Sequence, residues 1–248
     1  MNASAAWTCR GDNKLIYEFL PQDTSRQGNP VLEAQRVLSA ARKEQRMATF
    51  LDVGCGAGTS YDIFSNGVDR LRWIGLDITD SQEVAERPQR ELPFCFFDGV
   101  HMPLADNSVD VAYSRQVFEH VRYPERLLAE VHRVLRPQGW FVGSTSHLEP
   151  FHSRSYWNYT PYGFCVLLRE AGFRCVQVRP GIDSVTLIGR RFLSYLRLAG
   201  LFDRFFYVES PTNMFMEFAL RLIAQPASRR NAIKLLFSGQ FCFIARKQ

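Results

Sequence analysis

The stretch Leu51-Asp52-Val53-Gly54-Cys55-Gly56-Ala57-Gly58 joins an apolar segment ending in a carboxylate to a glycine-rich turn. Glycine lacks a Cβ and adopts positive φ readily, so such a turn lets the backbone approach a ligand closely. The next residues, 59–62, can begin a helix, whose N-terminus offers unpaired N–H groups and a favourable dipole to an anionic group. This arrangement predicts a binding site for a nucleotide-like cofactor.

The spacing of the glycines argues against a dinucleotide site. In the G-x-G-x-x-G pattern the third glycine would stand at position 59, which is Thr59 here. The third glycine is Gly58 instead, and an acidic residue opens the pattern as D-x-G-x-G-x-G. A glycine-rich turn alone is a weak signal, so the sequence that follows it decides which cofactor is bound.

Further segments follow the turn in an order and spacing that support one family. They are Arg72-Trp73-Ile74-Gly75-Leu76-Asp77, Phe94-Cys95-Phe96-Phe97-Asp98-Gly99, residues 104–114, Phe118-Glu119-His120-Val121 and residues 133–139. Together with the turn they resemble the class I S-adenosylmethionine-dependent methyltransferases of the type 11-like group, over about residues 48–180. The resemblance implies S-adenosylmethionine as the cofactor and methyl transfer as the reaction.

Strand and helix patterns alternate through this region, as a doubly wound parallel sheet requires. We therefore expect an α/β fold with a Rossmann-like seven-stranded sheet, in which the family resemblance implies an antiparallel strand seven at 241–245. An N-terminal helical lead-in, residues 1–48, precedes a methyltransferase domain over residues 49–248. The expected strands are 49–53, 72–77, 93–98, 109–114, 140–145 and 173–179, and the expected helices are 31–46, 59–66, 80–87, 124–136 and 160–171. Residues 137–139, Pro-Gln-Gly, are expected to end the helix over 124–136.

A long insert separates strands six and seven, where the family usually has a tight hairpin. It covers residues 181–239, and its apolar residues are interleaved with Arg190, Arg191, Arg197 and Arg204. We expect helices here, one of them at 212–224. Three roles are open for this helical insert: a substrate-covering lid or dimer face, a membrane-surface element, or additional core.

The residues at the ends of the first two strands suit two parts of the cofactor. Asp52 would attract the ammonium group, and Gly54 and Gly56 would let the main chain lie against the methionine and ribose portions. Asp77, followed by Ile78, matches the family's acidic residue that holds the ribose hydroxyls through charge-assisted hydrogen bonds. The alternative role for Asp77 is to cap the next helix.

The third and fourth strands complete the predicted cofactor site. Asp98 matches the family residue that contacts the adenine amino group, and the amides of Gly99 and Val100 would help it read the adenine edge. A turn-forming Asp-Gly pair is the alternative. In open α/β sheets ligands bind beyond the carboxyl ends of the strands, so the end of strand four should border the methionine group. The residues at that end are Ser114, Arg115 and Gln116.

A general base would assist transfer to a hydroxyl, and imidazole is the usual candidate near neutral pH. His147 and His152 stand in the loop after strand five, which flanks the expected acceptor pocket. His120 is a third candidate, with a structural role at a helix start as the alternative. No metal is expected, because the sequence shows no carboxylate cluster dedicated to one.

Composition limits the remaining options. The 248 residues carry a net charge of +5, and the excess lies in the C-terminal third, which could face nucleic acid, an anionic membrane or a phosphorylated substrate. A basic face that is simply solvated is the alternative. The six cysteines form no C-x-x-C pair, which favours reduced thiols and a cytoplasmic protein. No apolar run approaches the ~20 residues of a membrane span. Peripheral membrane contact through the basic, apolar insert stays open.

These observations favour an O-methyltransferase acting on a hydroxyl of a small molecule or sugar, as in glycan or natural-product tailoring. The aromatic stretch 156–162 suits sugar rings and aromatic acceptors alike, with a helix-entry turn whose rings cap the core as the alternative. A nucleic-acid methyltransferase is the alternative among enzymes, although Ser114-Arg115-Gln116-Val117 replaces the Asn/Asp-Pro-Pro-aromatic turn common in base-methylating enzymes. The alternative outside enzymes is a non-catalytic, cofactor-binding partner protein. An oligomer is compatible with all three.

Overall fold

A computed structural model describes residues 14–41, 47–65 and 70–248 of the chain. Predictions on residues 1–13, 42–46 and 66–69 lie outside these residues. They concern the start of the N-terminal lead-in and the ends of the helices expected over 31–46 and 59–66.

The described residues form one mixed sheet of seven strands, in the order β3-β2-β1-β4-β5-β7-β6. The strands are β1 (Ala48–Val53), β2 (Leu71–Ile78), β3 (Phe94–Phe97), β4 (Val109–Arg115), β5 (Leu135–Ser146), β6 (Phe173–Pro180) and β7 (Gln240–Lys247). The first five strands pair in parallel, and β7 runs antiparallel to both β5 and β6. The α/β Rossmann-like sheet with an antiparallel seventh strand, expected from the sequence, is confirmed.

Helices occupy the connections between the strands. They are α1 (Lys14–Tyr17), α2 (Pro30–Ala41), α3 (Ser60–Ser65), α4 (Gln82–Ala85), α5 (Pro124–Val134), α6 (Pro161–Glu170), α7 (Ser184–Ser194), α8 (Pro211–Leu222) and α9 (Ala227–Leu236), with 3₁₀ helices at Phe118–His120 and Ala199–Phe206. Within the described ranges, no helix combines the length and the apolar character that crossing a bilayer would require.

The core lies on both faces of the sheet, because successive strand residues point to opposite sides. Leu51 and Val53 of β1 pack in the cluster that includes α5 and α6. Phe50, one position away from Leu51, packs in the cluster that includes α2 and α3. All three β1 side chains are fully buried, so β1 is held rigidly at the centre of the sheet.

The boundary between α5 and β5 differs from the expectation that residues 137–139 end the helix. α5 ends at Val134, and Leu135 already pairs with Val109 of β4. The last helical carbonyls are satisfied from outside the helix, since Ser108 N–H donates to Val134 O at 2.8 Å. Residues 137–139 lie inside β5 at an irregularity of the β4–β5 pairing, where Gln138 adopts a φ of 64°.

The carboxyl ends of β1, β2, β4 and β5 meet at one edge of the sheet, as in other open α/β sheets. β6 runs in the same direction, so its last residue, Pro180, lies at this edge, and β7 begins there at Gln240. The helical insert between β6 and β7 therefore stands at the edge where a ligand is expected.

Candidate cofactor and acceptor site

The glycine-rich turn connects β1 to α3 with a backbone that requires glycine. Gly54, Gly56 and Gly58 have φ values of 72°, 50° and 81°. A Cβ placed on Gly54 would lie 2.3 Å from Cγ2 of Val117, and one on Gly58 would lie 2.7 Å from Cζ of Phe94. The turn is thus fixed both by its dihedral angles and by close packing.

Arg87 anchors this turn, and it was not among the residues predicted for the site. Its Nε donates to Gly56 O at 2.7 Å, and its guanidinium lies 3.7 Å from the centroid of the Phe94 ring. The side chain is buried, so the turn is bound to the segment that leads into β3. A buried arginine without a local motif gives no signal in the sequence.

Asp77 lies at the end of β2 and faces the glycine-rich turn. Its Oδ2 accepts from Gly56 N–H at 2.6 Å and its Oδ1 accepts from Ile78 N–H at 2.8 Å. An ionised carboxylate offers about four acceptor positions, so both oxygens keep capacity for two further donors such as ribose hydroxyls. Burial raises the pKa of Asp77, while the two N–H groups oppose the shift.

Asp52 is buried at the end of β1, beneath the turn. Ser60 Oγ donates to its Oδ2, and Trp73 Nε1 donates to Ser60 Oγ at 3.0 Å. Burial raises the pKa of Asp52 to about 7, against the effect of the Ser60 hydrogen bond, and the charge of Asp77 adds to the rise. Asp52 therefore changes charge near neutral pH, where a nearby ammonium group would favour its ionised form.

Asp98 is exposed and forms a turn with the residues that follow it. Its Oδ1 accepts from the N–H groups of Val100 and His101 at 2.8 and 2.6 Å, and its Oδ2 lies 2.8 Å from His101 Nδ1. These hydrogen bonds, led by that of the His101 side chain, lower the pKa of Asp98 to about 2. Because the Val100 N–H is engaged, Asp98 Oδ2 and the Gly99 N–H are the groups left for the predicted adenine contact.

The end of β4 places Ser114, Arg115 and Gln116 beside the turn and the start of the next loop. The Ser114 hydroxyl is buried and has no hydrogen-bond partner among the described residues. Gln116 adopts a φ of 55°, and its N–H donates to Ser144 O at 2.9 Å, which ties β4 to β5. The Arg115 charge acts on Asp52 and lowers its pKa.

A buried polar cluster fills the space between the ends of β4 and β5. Glu119 is fully enclosed, and Thr145 Oγ1 donates to its Oε2 at 3.0 Å. Ser146 Oγ donates to Glu149 Oε2 at 2.6 Å, and a Gln116 amide turned with its nitrogen towards the carboxylates donates to both Glu119 and Glu149. Burial raises the pKa of Glu119 to about 7.

Two of the three candidate histidines meet at this cluster. The rings of His120 and His152 lie edge to face with centroids 5.2 Å apart, and His152 Nδ1 is 3.7 Å from Glu149 Oε1. Burial lowers the pKa of His120, and the neighbouring His152 lowers it further. His147 belongs to a different environment, because its Nδ1 lies 2.9 Å from Tyr159 O and its ring packs near Phe241.

The same cluster contains a set of side chains with metal-ligating atoms. Glu119, His120 and His152 each place one such atom within 4.8 Å of the others. Two imidazoles and a carboxylate suit a divalent transition metal, although both Glu119 oxygens already accept hydrogen bonds, from Thr145 and from the turned Gln116 amide. No local sequence pattern marks this set, because its members lie in two loops that the β4–β5 pairing brings together.

The helical insert closes the other side of this region. Phe206 of the insert lines a small cavity with Arg115, Ser144 and Gln240. The Arg115 guanidinium lies 5.7 Å from the centroid of the Tyr207 ring.

The residues at this edge fit S-adenosylmethionine. Asp77 keeps acceptor capacity for a diol, and the Ser114 hydroxyl is buried without a partner. The glycine-rich turn also faces open space at its tip, because a Cβ on Gly56 would come no nearer than 3.5 Å to another atom. Asp52, Asp77 and Ser114, brought together from three strands, would hold the ammonium, ribose and methionine portions.

Comparison with known proteins finds a methyltransferase domain in part of the chain. Residues 51–143 match the model of a methyltransferase domain family. A probable S-adenosylmethionine-dependent methyltransferase of Mycolicibacterium smegmatis is 36% identical over 117 residues, which are 42% of this chain and 44% of that protein. A methyltransferase of Mycobacteroides abscessus is 39% identical over 114 residues, 43% of each chain. The chain spans less than half the length of these two curated relatives.

Solved structures share the fold at low sequence identity. A putative methyltransferase of Bacillus halodurans has a TM-score of 0.51 at 15% identity, covering 87% of this chain and 99% of its own. A putative sarcosine dimethylglycine methyltransferase of Galdieria sulphuraria has a TM-score of 0.52 at 16% identity, covering 92% and 94%. The shared fold and the match over residues 51–143 indicate a class I S-adenosylmethionine-dependent methyltransferase domain. This agreement confirms the resemblance recognised from the glycine-rich turn and the segments that follow it.

Proposed function

We propose that this protein transfers the methyl group of S-adenosylmethionine to a hydroxyl of a small molecule or sugar. The observation that carries the proposal is the meeting of His120 and His152 beside Glu119, at the edge where the cofactor strands end. Nucleic acid is not the acceptor that we favour, since the end of β4 lacks the turn common in base-methylating enzymes.

S-adenosylmethionine supplies a methyl group on a sulfonium, which is already an activated leaving group. The chain then has to hold the donor, orient the acceptor and take up a proton. Asp77 holds the ribose hydroxyls through its free acceptor positions, and ionised Asp52 attracts the ammonium group. The helical insert covers the acceptor side and limits the access of water.

The histidine pair takes up the proton of the acceptor hydroxyl. A lowered pKa keeps His120 neutral near pH 7, so a ring nitrogen is free to accept a proton. Glu149 opposes that shift, because its charge favours the protonated imidazole of His120. The pair and its carboxylates thus receive a proton and stabilise the resulting charge.

Isothermal titration with S-adenosylhomocysteine is the first test, and we expect Asp77→Ala to weaken binding. No binding by the pure protein, or equal affinity in Asp77→Ala, would overturn the assignment of the cofactor site. The second test follows labelled methyl transfer to a panel of sugars, phenols and alcohols. A salt-sensitive gel shift with RNA or DNA would favour the nucleic-acid alternative instead. A non-catalytic partner protein would bind the cofactor and transfer no label to any acceptor class.

A further inference from the structure

The helical insert exposes an unusual amount of apolar surface. More than half of the exposed large apolar side chains among the described residues lie between positions 181 and 239. On α7, Val185, Ile188 and Phe192 follow a three- and four-residue spacing and are 56–67% exposed. Residues at this spacing form one stripe of a helix, which here faces away from the protein.

A second stripe lies on the neighbouring helix α8. Phe215, Phe218 and Leu222 are 64–71% exposed and again share one helical face. α8 contacts α7, and α7 packs against the 3₁₀ helix Ala199–Phe206, which adds exposed Leu201. Apolar patches of this kind mark sites of contact with a protein or a membrane.

The charges around these stripes are positive and uncompensated. Arg191, Arg197, Arg204 and Arg229 are exposed and form no ion pair with any described residue. The exposed or partly exposed carboxylates of the insert are already paired. Asp203 binds Arg190 at 2.8 Å, Glu209 binds Lys234 at 2.6 Å, and Glu217 binds Lys234, Arg221 and Arg230.

We propose that the surface formed by α7, the 3₁₀ helix Ala199–Phe206 and α8 docks onto an anionic lipid surface. A bilayer interface accepts apolar side chains, and anionic headgroups supply the counter-charges that the four arginines lack among the described residues. A second copy of this chain fits less well. A twofold contact would bring arginines against arginines, and the insert has no free carboxylate to separate them.

Docking at this surface would also limit which class of acceptor molecule reaches the site. This inference about the acceptor rests on the proposed function. The insert leaves β6 and enters β7 at the cofactor edge of the sheet, and Tyr207 lies beside Arg115. A docked protein therefore presents its acceptor side close to the headgroup layer. The structure favours an amphiphilic or lipid-linked molecule whose hydroxyl lies at that layer.

Sedimentation with vesicles tests the docking. The full-length protein is mixed with phosphatidylcholine vesicles or with vesicles containing about one third phosphatidylglycerol, at low and at high salt. We expect the protein to pellet with the anionic vesicles at low salt and to be released as salt rises. Protein that stays in the supernatant with anionic vesicles at low salt would overturn the proposal.

Matched variants separate docking from unspecific attraction. Phe192→Ser/Phe215→Ser/Phe218→Ser and Arg191→Gln/Arg197→Gln/Arg204→Gln change only exposed side chains, and each set should lower vesicle partitioning at least tenfold. Two control variants change exposed residues outside the insert and should leave vesicle partitioning unchanged. They are Leu32→Ser with Ile63→Ser, and Arg72→Gln with Arg174→Gln. Partitioning that falls equally in the control variants would contradict the assignment.

Two measurements allow membrane docking to be tested separately from the proposed methyl transfer. Affinity for S-adenosylhomocysteine should be unchanged in every variant, which also shows that the variants fold. Sedimentation equilibrium tests the second-copy alternative: a wild-type dimer that the phenylalanine variant converts to a monomer would assign the surface to self-association instead. A protein that docks but methylates no hydroxyl would leave the docking standing and remove the proposed reaction.

Discussion

The imidazole rings of His120 and His152 lie edge to face, 5.2 Å between centroids, although 32 positions separate the two residues. One follows β4 and the other follows β5, and the parallel pairing of Ser114 with Gly143 brings the two loops together. Buried Glu119 lies beside them. Because of this contact, the protonation of one histidine affects the pKa of the other.

We predict that the two histidines titrate as interacting neighbours. Burial and the charge of His152 both lower the pKa of His120 below its usual 6.5. His152→Ala removes the like charge and admits water, so the pKa of His120 should rise. The NMR titration of the His120 ring protons measures this shift. An unchanged His120 pKa in His152→Ala would show that the rings do not interact.

The same pair should matter for turnover. With an active acceptor in hand, His120→Ala or His152→Ala should lower kcat by roughly 10²–10⁴-fold, the usual contribution of a general base. His147→Ala is the matched comparison, because His147 bonds to Tyr159 O away from the pair. A larger loss in His147→Ala than in either partner would move the base to that residue.

Metal content gives an independent check on the role of the pair. If the histidines take up a proton directly, the purified protein should retain activity in EDTA. Zinc or manganese bound at one ion per chain, and lost in His152→Ala, would assign Glu119, His120 and His152 to a metal site instead. Inductively coupled plasma mass spectrometry of the dialysed protein measures its metal content and decides between these outcomes.

Much of the fold was open to prediction because its signals are local. Apolar runs that end in Asp52 and Asp77 mark β1 and β2 directly, and the glycines fix the turn between β1 and α3. The predicted boundary between α5 and β5 was wrong, because tertiary contacts determine where the helix ends. Lys247 Nζ, at the far end of the chain, donates to His132 O and Leu135 O at 2.7 Å and helps to end the helix early.

In the candidate site, the residues with local signals were predictable and those that depend on contacts between strands were not. The acidic strand ends were found one at a time, since each follows its own apolar run. The cluster of Glu119 with Thr145 and Glu149 depends on the β4–β5 register, which no local pattern reports. Arg87 was missed for the same reason, because its partners Gly56 and Phe94 lie on either side of it in other elements.

Two glycine substitutions should separate backbone strain from steric clash. Gly54→Ala combines a φ of 72° with a contact of 2.3 Å to Val117, and it should lower the Tm and weaken S-adenosylhomocysteine binding more than tenfold. Gly99→Ala has a φ of 87° but no contact under 3.8 Å, so it should cost only the strain of about 1–2 kcal/mol. Equal losses in thermal melts of the two variants would contradict the close packing at Gly54.

Asp77 and Asp98 should contribute unequally to cofactor binding. Asp77 is buried and held by two backbone N–H groups, so Asp77→Ala should weaken S-adenosylhomocysteine binding by roughly 10–100-fold, the usual effect of hydrogen bonds to a charged group. Asp98 is exposed and engaged with His101, so Asp98→Ala should have a smaller effect. Isothermal titration compares the two variants, and a larger loss in Asp98→Ala would make the adenine contact the dominant one.

Asp52 should make both stability and cofactor affinity depend on pH. Its pKa rises from the usual 3.8 to about 7 in the folded protein, chiefly through burial, so folding favours the protonated carboxyl. The resulting stabilisation is complete below pH 3.8 and is lost as pH rises through about 7. Asp52→Asn should therefore raise the free energy of unfolding of the cofactor-free protein at pH 8, by on the order of 2–4 kcal/mol.

The affinity of the cofactor should change in the opposite direction, because only ionised Asp52 attracts the ammonium group. Titrations with S-adenosylhomocysteine between pH 6 and pH 8 should show tighter binding as Asp52 loses its proton near pH 7. In Asp52→Asn the affinity should be weaker and nearly flat over this range. In Asp77→Ala, which keeps Asp52 but removes a charge that raises its pKa, the pH dependence should persist and move to lower pH. A wild-type affinity that does not change between pH 6 and pH 8 would show that Asp52 stabilises the turn through Ser60 and does not bind the ammonium group.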